Sequence, residues 1–354
     1  MADDRWVKPI YNKRAVNNAG ETIRAFDPNS IEYKEAIKVL NNWREAHAYP
    51  MQVIYVHLRQ MRDSKNITVA SRLKRKESIE NKLKREPEMQ LWRMHDLGGC
   101  RFVVDSVEEV YKYVEKLKSS RVRHLFKRDY DYIDNPKKSG YRSYHVVLQY
   151  RSDRESKAVF TDSRLLIEIQ FRTKLQHIWA TTVETFGRIT DQELKSSLGD
   201  EDIKYFFKLV SSLFALKEGC NIVSGTPSDK HELINEARRI NNKSHILDRL
   251  EMYKNAIYVD DQSISTGRKK KNIQYYYLLD LEYREDVDLP IIVINSYRYA
   301  QDANAKYAEL EADKTVKRDV VLVRSDSFSE VKKAFPNYFS EISSFLDEVH
   351  GLID

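Results

Sequence analysis

The alternation of apolar and polar positions along the chain predicts a β-sheet flanked by helices. Apolar runs at residues 100–104, 144–150 and 165–171 have the length of buried strands. Apolar residues at helical spacing follow the first of these runs at 107–117 and the last at 173–189. Strands that alternate with helices are typical of α/β or α+β layers. We therefore predict an α+β fold built on a mixed β-sheet.

The two ends of the chain have different patterns from the middle. The first 65 residues carry apolar positions at mixed helical spacings, and a strongly charged helix is predicted over 69–85. Beyond residue 255 the pattern changes to a smaller set of elements. These are strands at 273–283, 289–295 and 320–324 and helices at about 300–314 and 327–334. We predict three regions: N-terminal helices over 1–65, a central domain with trailing helices over 66–254, and a small α/β domain over 255–354.

Composition restricts the class of protein. Hydrophobic residues make up 41% and charged residues 32% of the 354 residues, as in ordinary globular proteins. Cys100 and Cys220 are the two cysteines, which excludes a disulfide framework and a cysteine-rich zinc site. The sequence has no apolar run of membrane-spanning length and no signal-peptide pattern at its start. We expect a cytoplasmic protein without a membrane partner.

Two carboxylates are candidates for a metal site. Side chains alternate along a strand, so Glu168 and Gln170 should project into a cleft while their apolar neighbours enter the core. Asp96 precedes another apolar run, and carboxylates from adjacent strands could hold Mg²⁺ with substrate phosphates. The alternative is structural: Asp96 caps a turn, and Glu168 pairs with Arg172.

Basic residues near these acids suggest a polyphosphate site. Lys74, Ser78 and Lys82 are spaced by four, and on one helix they would share a face able to grip a triphosphate. The planar guanidinium of Arg72 could stack on a nucleobase. The alternative interpretation of this segment is a solvated helix face.

A turn with two lysines offers a second binding element. The segment Pro136-Lys137-Lys-Ser-Gly140 precedes Tyr141, whose ring could stack on a second base. The alternative is a basic surface loop with Tyr141 in the core. His145 could equally be a hydrogen-bonded strand histidine.

The order and spacing of these motifs resemble the synthetase domain of the RelA/SpoT family of alarmone synthetases, from about Arg72 to Thr190. The family pattern approximates R-x-K…S-I-x-x-K-L, D-x-x-G-x-R, D-Y-I-x-x-P-K-x-x-G-Y-x-S-x-H and E-I-Q-x-R-T. The corresponding segments here begin at Arg72, Asp96, Asp131 and Glu168. The resemblance implies a RelA/SpoT nucleotidyltransferase-like fold, with ATP as donor substrate and Mg²⁺ as cofactor.

The resemblance also assigns roles to individual residues. It implies that Arg72 and Arg101 sandwich the donor adenine and that Lys74, Ser78 and Lys82 hold the ATP phosphates. Asp96 and Glu168 would bind Mg²⁺ and act in catalysis, with Glu168 as the base for the acceptor hydroxyl. The implied acceptor site consists of Lys137, Tyr141, His145 and Gln170. Lys138-Ser139 replaces the family's commoner Pro-Asn, which weakens the expectation of guanosine specificity.

The length and the C-terminal segment resemble a narrower group, the CapRel-type fused toxic small alarmone synthetases of antiphage defence. The resemblance implies a zinc-finger-like C-terminal antitoxin domain without zinc and a Tyr-x-x-Tyr element that blocks the adenine site, here Phe335 to Tyr338. Aromatic residues packed into that domain's own core are the alternative. The implied trigger is a phage protein such as a capsid protein. We expect a monomer without a hydrolase domain.

The same resemblance implies pyrophosphate transfer to the 3′ end of tRNA, which would halt translation. The candidate contacts to RNA phosphates are Arg75, Lys76, Arg121 and Arg123. Two alternatives stay open. The acceptor could be GDP or GTP, with (p)ppGpp as product, or the chain could be an inactive regulator that binds nucleotides or RNA.

Overall fold

The computed structural model describes residues 6–189, 200–254, 258–260, 275–283, 291–313, 315, 317–325 and 342–353. The chain begins with three helices: α1 (Lys13–Ala25), α2 (Ile31–Ala46) and α3 (Ala48–Met61). The side chains of Asn12 and Ser30 cap α1 and α2 by accepting bonds from backbone N–H groups of the first turn. The predicted N-terminal helices are therefore present.

The central elements alternate between strands and helices. In chain order they are β1 (Thr68–Leu73), α4 (Lys76–Arg85), β2 (Gly98–Val104), α5 (Val107–Lys118), β3 (Leu125–Asp131), β4 (Tyr144–Gln149), α6 (Ala158–Asp162), β5 (Leu166–Thr173) and α7 (Lys174–Ile189). Three further helices follow: α8 (Glu201–Lys217), α9 (Lys230–Ser244) and α10 (Ile246–Lys254).

The last part of the chain adds four strands and two helices among the described residues. They are β6 (Tyr258–Asp260), β7 (Tyr275–Tyr283), β8 (Ile291–Tyr297), α11 (Ala300–Ala312), β9 (Lys317–Ser325) and α12 (Ile342–Ile353). The strands predicted near 280, 292 and 322 are present, and so is the helix that begins at residue 300. The helix predicted at 327–334 lies outside the described residues.

The described strands form one nine-stranded sheet in the order β3-β4-β5-β2-β1-β9-β7-β8-β6. The pairs β2–β5 and β6–β8 are parallel, and the other neighbouring pairs are antiparallel. Helices flank this mixed sheet, so the predicted α+β class is confirmed.

The two faces of the central strands differ in polarity. On one face, buried side chains of β2, β4 and β5 form a core with α3 and α5, which includes Phe102, Val146 and Phe171. On the other face, the strands carry the polar residues Arg101, His145 and Glu168. Alternation along each strand thus separates a packed face from a polar one.

The helix predicted over 69–85 is wrong in its first part. Thr68–Leu73 forms strand β1, and the helix begins at Lys76. Ser71 pairs with Cys100 of β2 on one side and with Arg324 of β9 on the other. Cross-strand pairing of this kind overrides the charged character of the local sequence.

The sequence analysis did not predict strand β3. Its first four residues are exposed, and it pairs only with β4 among the described strands. An edge strand needs no continuous apolar run, so hydrophobic patterning leaves little trace of it.

The C-terminal elements share the sheet and the helical layer of the central domain. Strand β9 pairs with β1, and α12 packs against α7, α9 and α10. Phe345 of α12 is fully buried against Phe207 and Phe214 of α8. The three-region division of the chain stays a prediction, but residues 342–353 contribute to the core of the preceding helices. Among the described residues, no helix is long and apolar enough to cross a membrane.

Candidate active site

Strand β5 carries the central polar residues of the site. Ile167, Ile169 and Phe171 are fully buried in the core, which turns Glu168 and Gln170 toward the opposite face. A cleft on that face is lined by both carboxylates of the predicted metal site, Asp96 and Glu168, and by Arg72, Lys74, Arg101 and Gln170. The cleft thus contains both predicted metal ligands and three of the five predicted donor residues, without Ser78 and Lys82 in its lining.

We call Arg72, Lys74, Ser78, Lys82, Asp96 and Arg101 the donor half of the site. Lys74 lies just after β1, where its backbone N–H donates to the Leu97 carbonyl at 2.8 Å. Lys74 therefore lies before α4, rather than on one helix with Lys82 as predicted. Ser78 lies one turn before Lys82 on α4 and is partly exposed.

The two lysines of the donor half converge on Asp96. Lys74 Nζ is 2.9 Å from Asp96 Oδ2, and Lys82 Nζ is 3.1 Å from Asp96 Oδ1. Burial by itself raises the pKa of Asp96, but the two ammonium groups outweigh burial and lower that pKa. The two lysines therefore favour an ionised Asp96, whose side chain lines the cleft.

The two arginines of the donor half lie close together. Burial, together with the charges of Arg72 and Arg172, lowers the pKa of Arg101 to about 9. Arg72 Nη2 is 4.0 Å from Glu184 Oε1 of α7, a carboxylate that the sequence analysis missed. Both guanidinium groups line the cleft, as the predicted adenine contact requires.

A buried arginine supports the donor half from behind. Arg44 of α2 donates from Nε to the Lys74 carbonyl at 2.6 Å, and its side chain is almost fully buried. The ring of Tyr307, from α11, lies 4.5 Å from the Arg44 guanidinium carbon. The C-terminal part of the chain therefore contacts Arg72 of the donor half through β9, and the supporting Arg44 through Tyr307.

Glu168 lies between the two halves of the site. Gln170 Nε2 donates to Glu168 Oε1 at 2.8 Å, while His95 Nε2 and His145 Nδ1 lie 3.1 and 3.4 Å from Oε2. Burial raises the pKa of Glu168, but the two histidines outweigh burial and hold it well below its usual range. The sequence analysis missed the role of His95, although it noted the His95-Asp96 dipeptide.

We call Lys137, Tyr141, His145 and Gln170 the acceptor half. The hydroxyl of Tyr141 is 2.7 Å from His145 Nε2 and accepts a 2.6 Å bond from Arg172 Nη2. Arg172 Nη2 also donates to Gln170 Oε1 at 2.7 Å, so the alternative pairing of Arg172 with Glu168 is wrong. Lys137 Nζ lies 5.3 Å from the centre of the Tyr141 ring.

The charges around Tyr141 shift the pKa values of the acceptor half in opposite directions. Burial by itself raises the pKa of Tyr141, but Arg172 and His145 outweigh burial and lower it to about 7. Burial lowers the pKa of His145, whereas Tyr141 and Glu168 together raise it to about 9. Tyr141, His145 and Glu168 therefore form one connected unit, in which the imidazole of His145 is favoured in its protonated form.

The loop before Tyr141 is fixed by a glycine. Gly140 has a φ of +92°, and a Cβ on it would lie 2.9 Å from the Trp179 ring. Its carbonyl accepts a 2.5 Å bond from the Ser211 hydroxyl of α8. Only glycine fits this backbone and this space, and the loop buries Tyr141 in a hydrophobic cluster with Trp179, as the alternative of Tyr141 in the core expected.

The four basic side chains predicted to contact RNA differ in how far they are exposed to solvent and in their ion pairs. Arg75 is buried, and its Nη2 lies 2.9 Å from Glu184 Oε1, so its assignment to RNA is corrected: this guanidinium points into the protein. Lys76 lies 3.9 Å from Glu80. Arg121 and Arg123 are exposed just before β3, and Arg123 pairs with Asp153 at 2.6 Å. The predicted autoinhibitory residues Phe335 and Tyr338 lie outside the described residues.

The donor set of the cleft fits Mg²⁺. Asp96 and Glu168 supply hard carboxylate oxygens on one cleft wall. Mg²⁺ is commonly held by one or two carboxylates and completed by substrate phosphates and water. Lys74 is paired with Asp96, and His95 lies against Glu168; an incoming metal ion and phosphates would replace these partners.

Comparison with known proteins agrees with the motifs. Residues 71–186 match the family described as "Region found in RelA / SpoT proteins". The chain is 30% identical over 137 residues to GTP pyrophosphokinase YwaC of Bacillus subtilis, covering 37% of this chain and 62% of that protein. It is 33% identical over 115 residues to GTP pyrophosphokinase YjbM of the same organism, covering 32% and 52%. The chain thus spans between half and two thirds of the length of these relatives.

Solved structures with partial similarity include small alarmone synthetase 1 from Bacillus subtilis bound to its product pppGpp. That overlap has a TM-score of 0.39 at 25% identity and covers 53% of this chain and 93% of the other. A GTP pyrophosphokinase family protein from Streptococcus pneumoniae overlaps with a TM-score of 0.38, also at 25% identity, over 53% and 89%. The family match spans β1 to α7 and includes every residue of both halves of the site, so the cleft lies in a region of the kind found in RelA and SpoT proteins.

Proposed function

We propose that this protein is an ATP-dependent pyrophosphokinase that acts on the ribose 3′-hydroxyl of a purine nucleotide. The observation that carries the proposal is the meeting of a Lys74–Asp96–Lys82 cluster and a Glu168–His145–Tyr141 cluster on one sheet face. The first cluster suits a polyphosphate, and the second offers a base beside an aromatic ring. The names of the relatives, GTP pyrophosphokinases, support the same activity.

The proposed chemistry is a single displacement at phosphorus. The acceptor oxygen forms a bond to the β-phosphorus of ATP, the bond from that phosphorus to the bridging oxygen of the α-phosphate breaks, and AMP leaves with the electron pair. Glu168, kept ionised by its histidine neighbours, takes the hydroxyl proton. Lys74 and Lys82 orient the phosphates and offset their charge. Mg²⁺, when held by Asp96 and Glu168, supplies further positive charge to the phosphate groups.

GDP or GTP is the first candidate acceptor, with (p)ppGpp as product, because both curated relatives are named for GTP. The 3′-terminal nucleotide of tRNA is the second candidate. It is favoured by the partly exposed rings of Tyr130 and Tyr132 beside the acceptor half and by exposed Lys137 and Lys138. An inactive regulator is less well supported, because both carboxylates face the cleft.

The regulatory part of the proposal concerns the C-terminal elements. We propose that they restrain the synthetase in a fused toxin–antitoxin of antiphage defence and that a phage protein releases it. The pairing of β9 with β1 and the contact of Tyr307 with Arg44 support communication with the donor half. A monomer in the cytoplasm is the state that we propose.

Incubation with γ-labelled ATP tests the activity. The intact chain is offered GTP or tRNA, with Glu168→Gln as the inactive control. Truncation near residue 255 is unsuitable, because it would remove α12 from the helical core. Label on GTP alone identifies the first acceptor, and label on tRNA identifies the second. The absence of any label from the intact chain and from a Tyr338→Ala variant would contradict the pyrophosphokinase.

Release from autoinhibition has its own test. Tyr338→Ala should raise the toxicity of the expressed chain, because the predicted blocking element loses its second ring. Growth of the host after induction is the measurement, with Tyr338→Phe as the matched control. Unchanged growth in cells that contain active enzyme would count against autoinhibition by this residue.

A further inference from the structure

Tyr130 of strand β3 and Tyr132, just after its end, form an aromatic step beside the acceptor half. Tyr132 follows the strand directly, and its backbone N–H donates to the Ser143 carbonyl at 3.0 Å, which keeps the two rings on one side. Their ring centres are 5.7 Å apart, and the ring planes differ by 2°. Both residues are partly exposed, and β3 is the outer strand of the described sheet on this side. The step therefore lies at an open border of the site.

The aromatic step continues into the acceptor half. The Tyr132 ring lies 5.2 Å from the His145 ring and 6.1 Å from the Tyr141 ring. Tyr130 is opposite His145 in the β3–β4 register, and its ring lies 6.3 Å from that of His95. A row of rings thus leads from the surroundings of Glu168 to the edge of the sheet.

Two basic side chains contact the tyrosines of the aromatic step, while the acidic side chains of β3 bond to residues outside it. Lys137 Nζ lies 4.3 Å from the centre of the Tyr132 ring, and Arg128 Nη1 donates to the Tyr130 hydroxyl at 3.1 Å. Asp129 bonds Lys118 and Tyr144, on the core side of the sheet, and Asp131 accepts from Tyr111 of α5. The step is therefore an aromatic surface with positive charge at its border.

Rings with nearby cations are how proteins bind single-stranded nucleic acid. Bases stack on the rings, and Lys or Arg side chains contact the backbone phosphates. An acceptor nucleotide with its base at Tyr141 and its 3′-hydroxyl at Glu168 has one remaining direction for a polynucleotide chain, through its 5′-phosphate. A free nucleotide ends there, whereas an RNA continues toward a further base.

We propose that Tyr130 and Tyr132 form a subsite for the nucleotide that precedes the reacting 3′-terminal nucleotide of a single-stranded RNA end. This inference rests on the proposed pyrophosphokinase and on its second acceptor. The preceding base stacks on the step, and Arg128 and Lys137 contact the phosphate between the two nucleotides. The subsite gives a means of preferring an RNA end over a free nucleotide at the same reaction centre.

The test compares acceptors with and without the preceding base. The intact protein, Tyr130→Ala and Tyr130→Phe receive γ-labelled ATP with a short single-stranded RNA, with the mononucleotide equivalent to its 3′ end, or with GTP. Phe126→Ala is the matched control, because Phe126 is a 44% exposed ring on β3 that contacts Lys118 on the core side. RNA binding is measured separately by fluorescence anisotropy.

In Tyr130→Ala we expect kcat/KM for RNA to fall about tenfold more than kcat/KM for the mononucleotide or GTP, mainly through KM. Tyr130→Phe and Phe126→Ala should retain the wild-type ratio of kcat/KM for RNA to kcat/KM for the mononucleotide. Both variants keep an aromatic ring at position 130. The anisotropy Kd for RNA should rise by a similar factor in Tyr130→Ala only.

Three outcomes would overturn the subsite. They are equal losses for RNA and mononucleotide, an unchanged RNA Kd in Tyr130→Ala, and labelling of GTP by the wild type without any labelling of RNA. The last outcome leaves the pyrophosphokinase standing. If no acceptor is labelled, the proposed function fails, while the anisotropy comparison still decides whether the step binds RNA.

Discussion

The donor and acceptor halves of the cleft balance their charges in different ways. In the donor half, lysines from two elements are ion-paired with one carboxylate, Asp96, which is also a predicted metal ligand. In the acceptor half, the Tyr141 hydroxyl shares a hydrogen bond with His145 and accepts one from Arg172. The donor half must exchange partners when phosphates and a metal ion arrive. The acceptor half has its shape before any ligand binds.

This difference has a consequence for binding. Donor affinity should depend on the electrostatic exchange at Asp96 and on the elements that hold Lys74 in place, including Arg44. Acceptor affinity should depend on the geometry of the loop around Gly140. Substitutions in the two halves should therefore affect the KM values of different substrates.

The largest effect is expected where the halves meet. Glu168→Gln keeps the shape of the side chain but removes the base, so labelling of any acceptor should fall by about 10²- to 10⁴-fold. The fold should persist, because Gln170 and the histidines retain a polar partner. Rate measurements with circular dichroism check both expectations, and a loss of less than tenfold would exclude Glu168 as the base.

A loop substitution should separate the acceptor half from the donor half. Gly140→Ala forces a positive φ on alanine and places Cβ 2.9 Å from Trp179, which should destabilise the fold by about 1–3 kcal/mol. The KM for the acceptor should rise several-fold more than the KM for ATP. Gly351→Ala is the matched control, since its Cβ would meet no atom within 4 Å. Equal changes in both KM values would argue against independent halves.

A substitution in α11 should raise the KM for ATP rather than the KM for the acceptor. Tyr307→Ala removes the ring beside the Arg44 guanidinium, whose Nε holds the Lys74 carbonyl. We expect the KM for ATP to rise about threefold, consistent with the loss of ~0.5–1 kcal/mol from one cation–π contact, while the acceptor KM stays constant. Tyr307→Phe keeps the ring and should behave like the wild type. A change confined to the acceptor KM would contradict the claim that Tyr307 supports the donor half.

A further prediction concerns stability rather than catalysis, in the C-terminal strands that flank the donor half. Burial raises the pKa of Asp280 on β7 to about 6, despite Arg318 at 2.8 Å. The folded state therefore holds this proton more tightly than the unfolded state does. The resulting stability is complete below about pH 4 and is lost as pH rises through about 6.

Asp280→Asn should remove this pH dependence. Urea unfolding at a series of pH values measures it, and we expect the wild type to lose on the order of 2 kcal/mol more than the variant between pH 4 and 6. Asp313→Asn is a suitable control, because that carboxyl also pairs with Arg318 but lies nearer to solvent. Parallel profiles for wild type and Asp280→Asn would contradict the assignment.

The sequence predicted the parts of the site that depend on local rules. The period of two along β5 correctly turned Glu168 and Gln170 away from the buried Ile167 and Ile169. The same local rules treated Lys74 and Lys82 as one helix face. The two lysines do meet at Asp96, but they arrive from a strand end and a helix.

The missed features depend on contacts between distant segments. The pairing of Arg72 with Val323 joins β1 to β9, and no local pattern specifies such a register. The contacts of His95 with Glu168 and of Arg75 with Glu184 likewise require the assembled sheet and α7. Strand β3 was missed because its first four residues are exposed and its two apolar residues, Leu125 and Phe126, are followed by charged ones.

The position of α12 also has a consequence for synthesis of the chain. Ribosomes make proteins from the N-terminus, so residues 342–353 emerge after the whole donor and acceptor region and after strands β7 to β9. Until they emerge, the groove that receives Phe345, Leu346 and Val349 stays open to water, at a cost of about 2 kcal/mol for each of these side chains. A nascent chain can therefore complete its helical core only after the C-terminal elements have also been made.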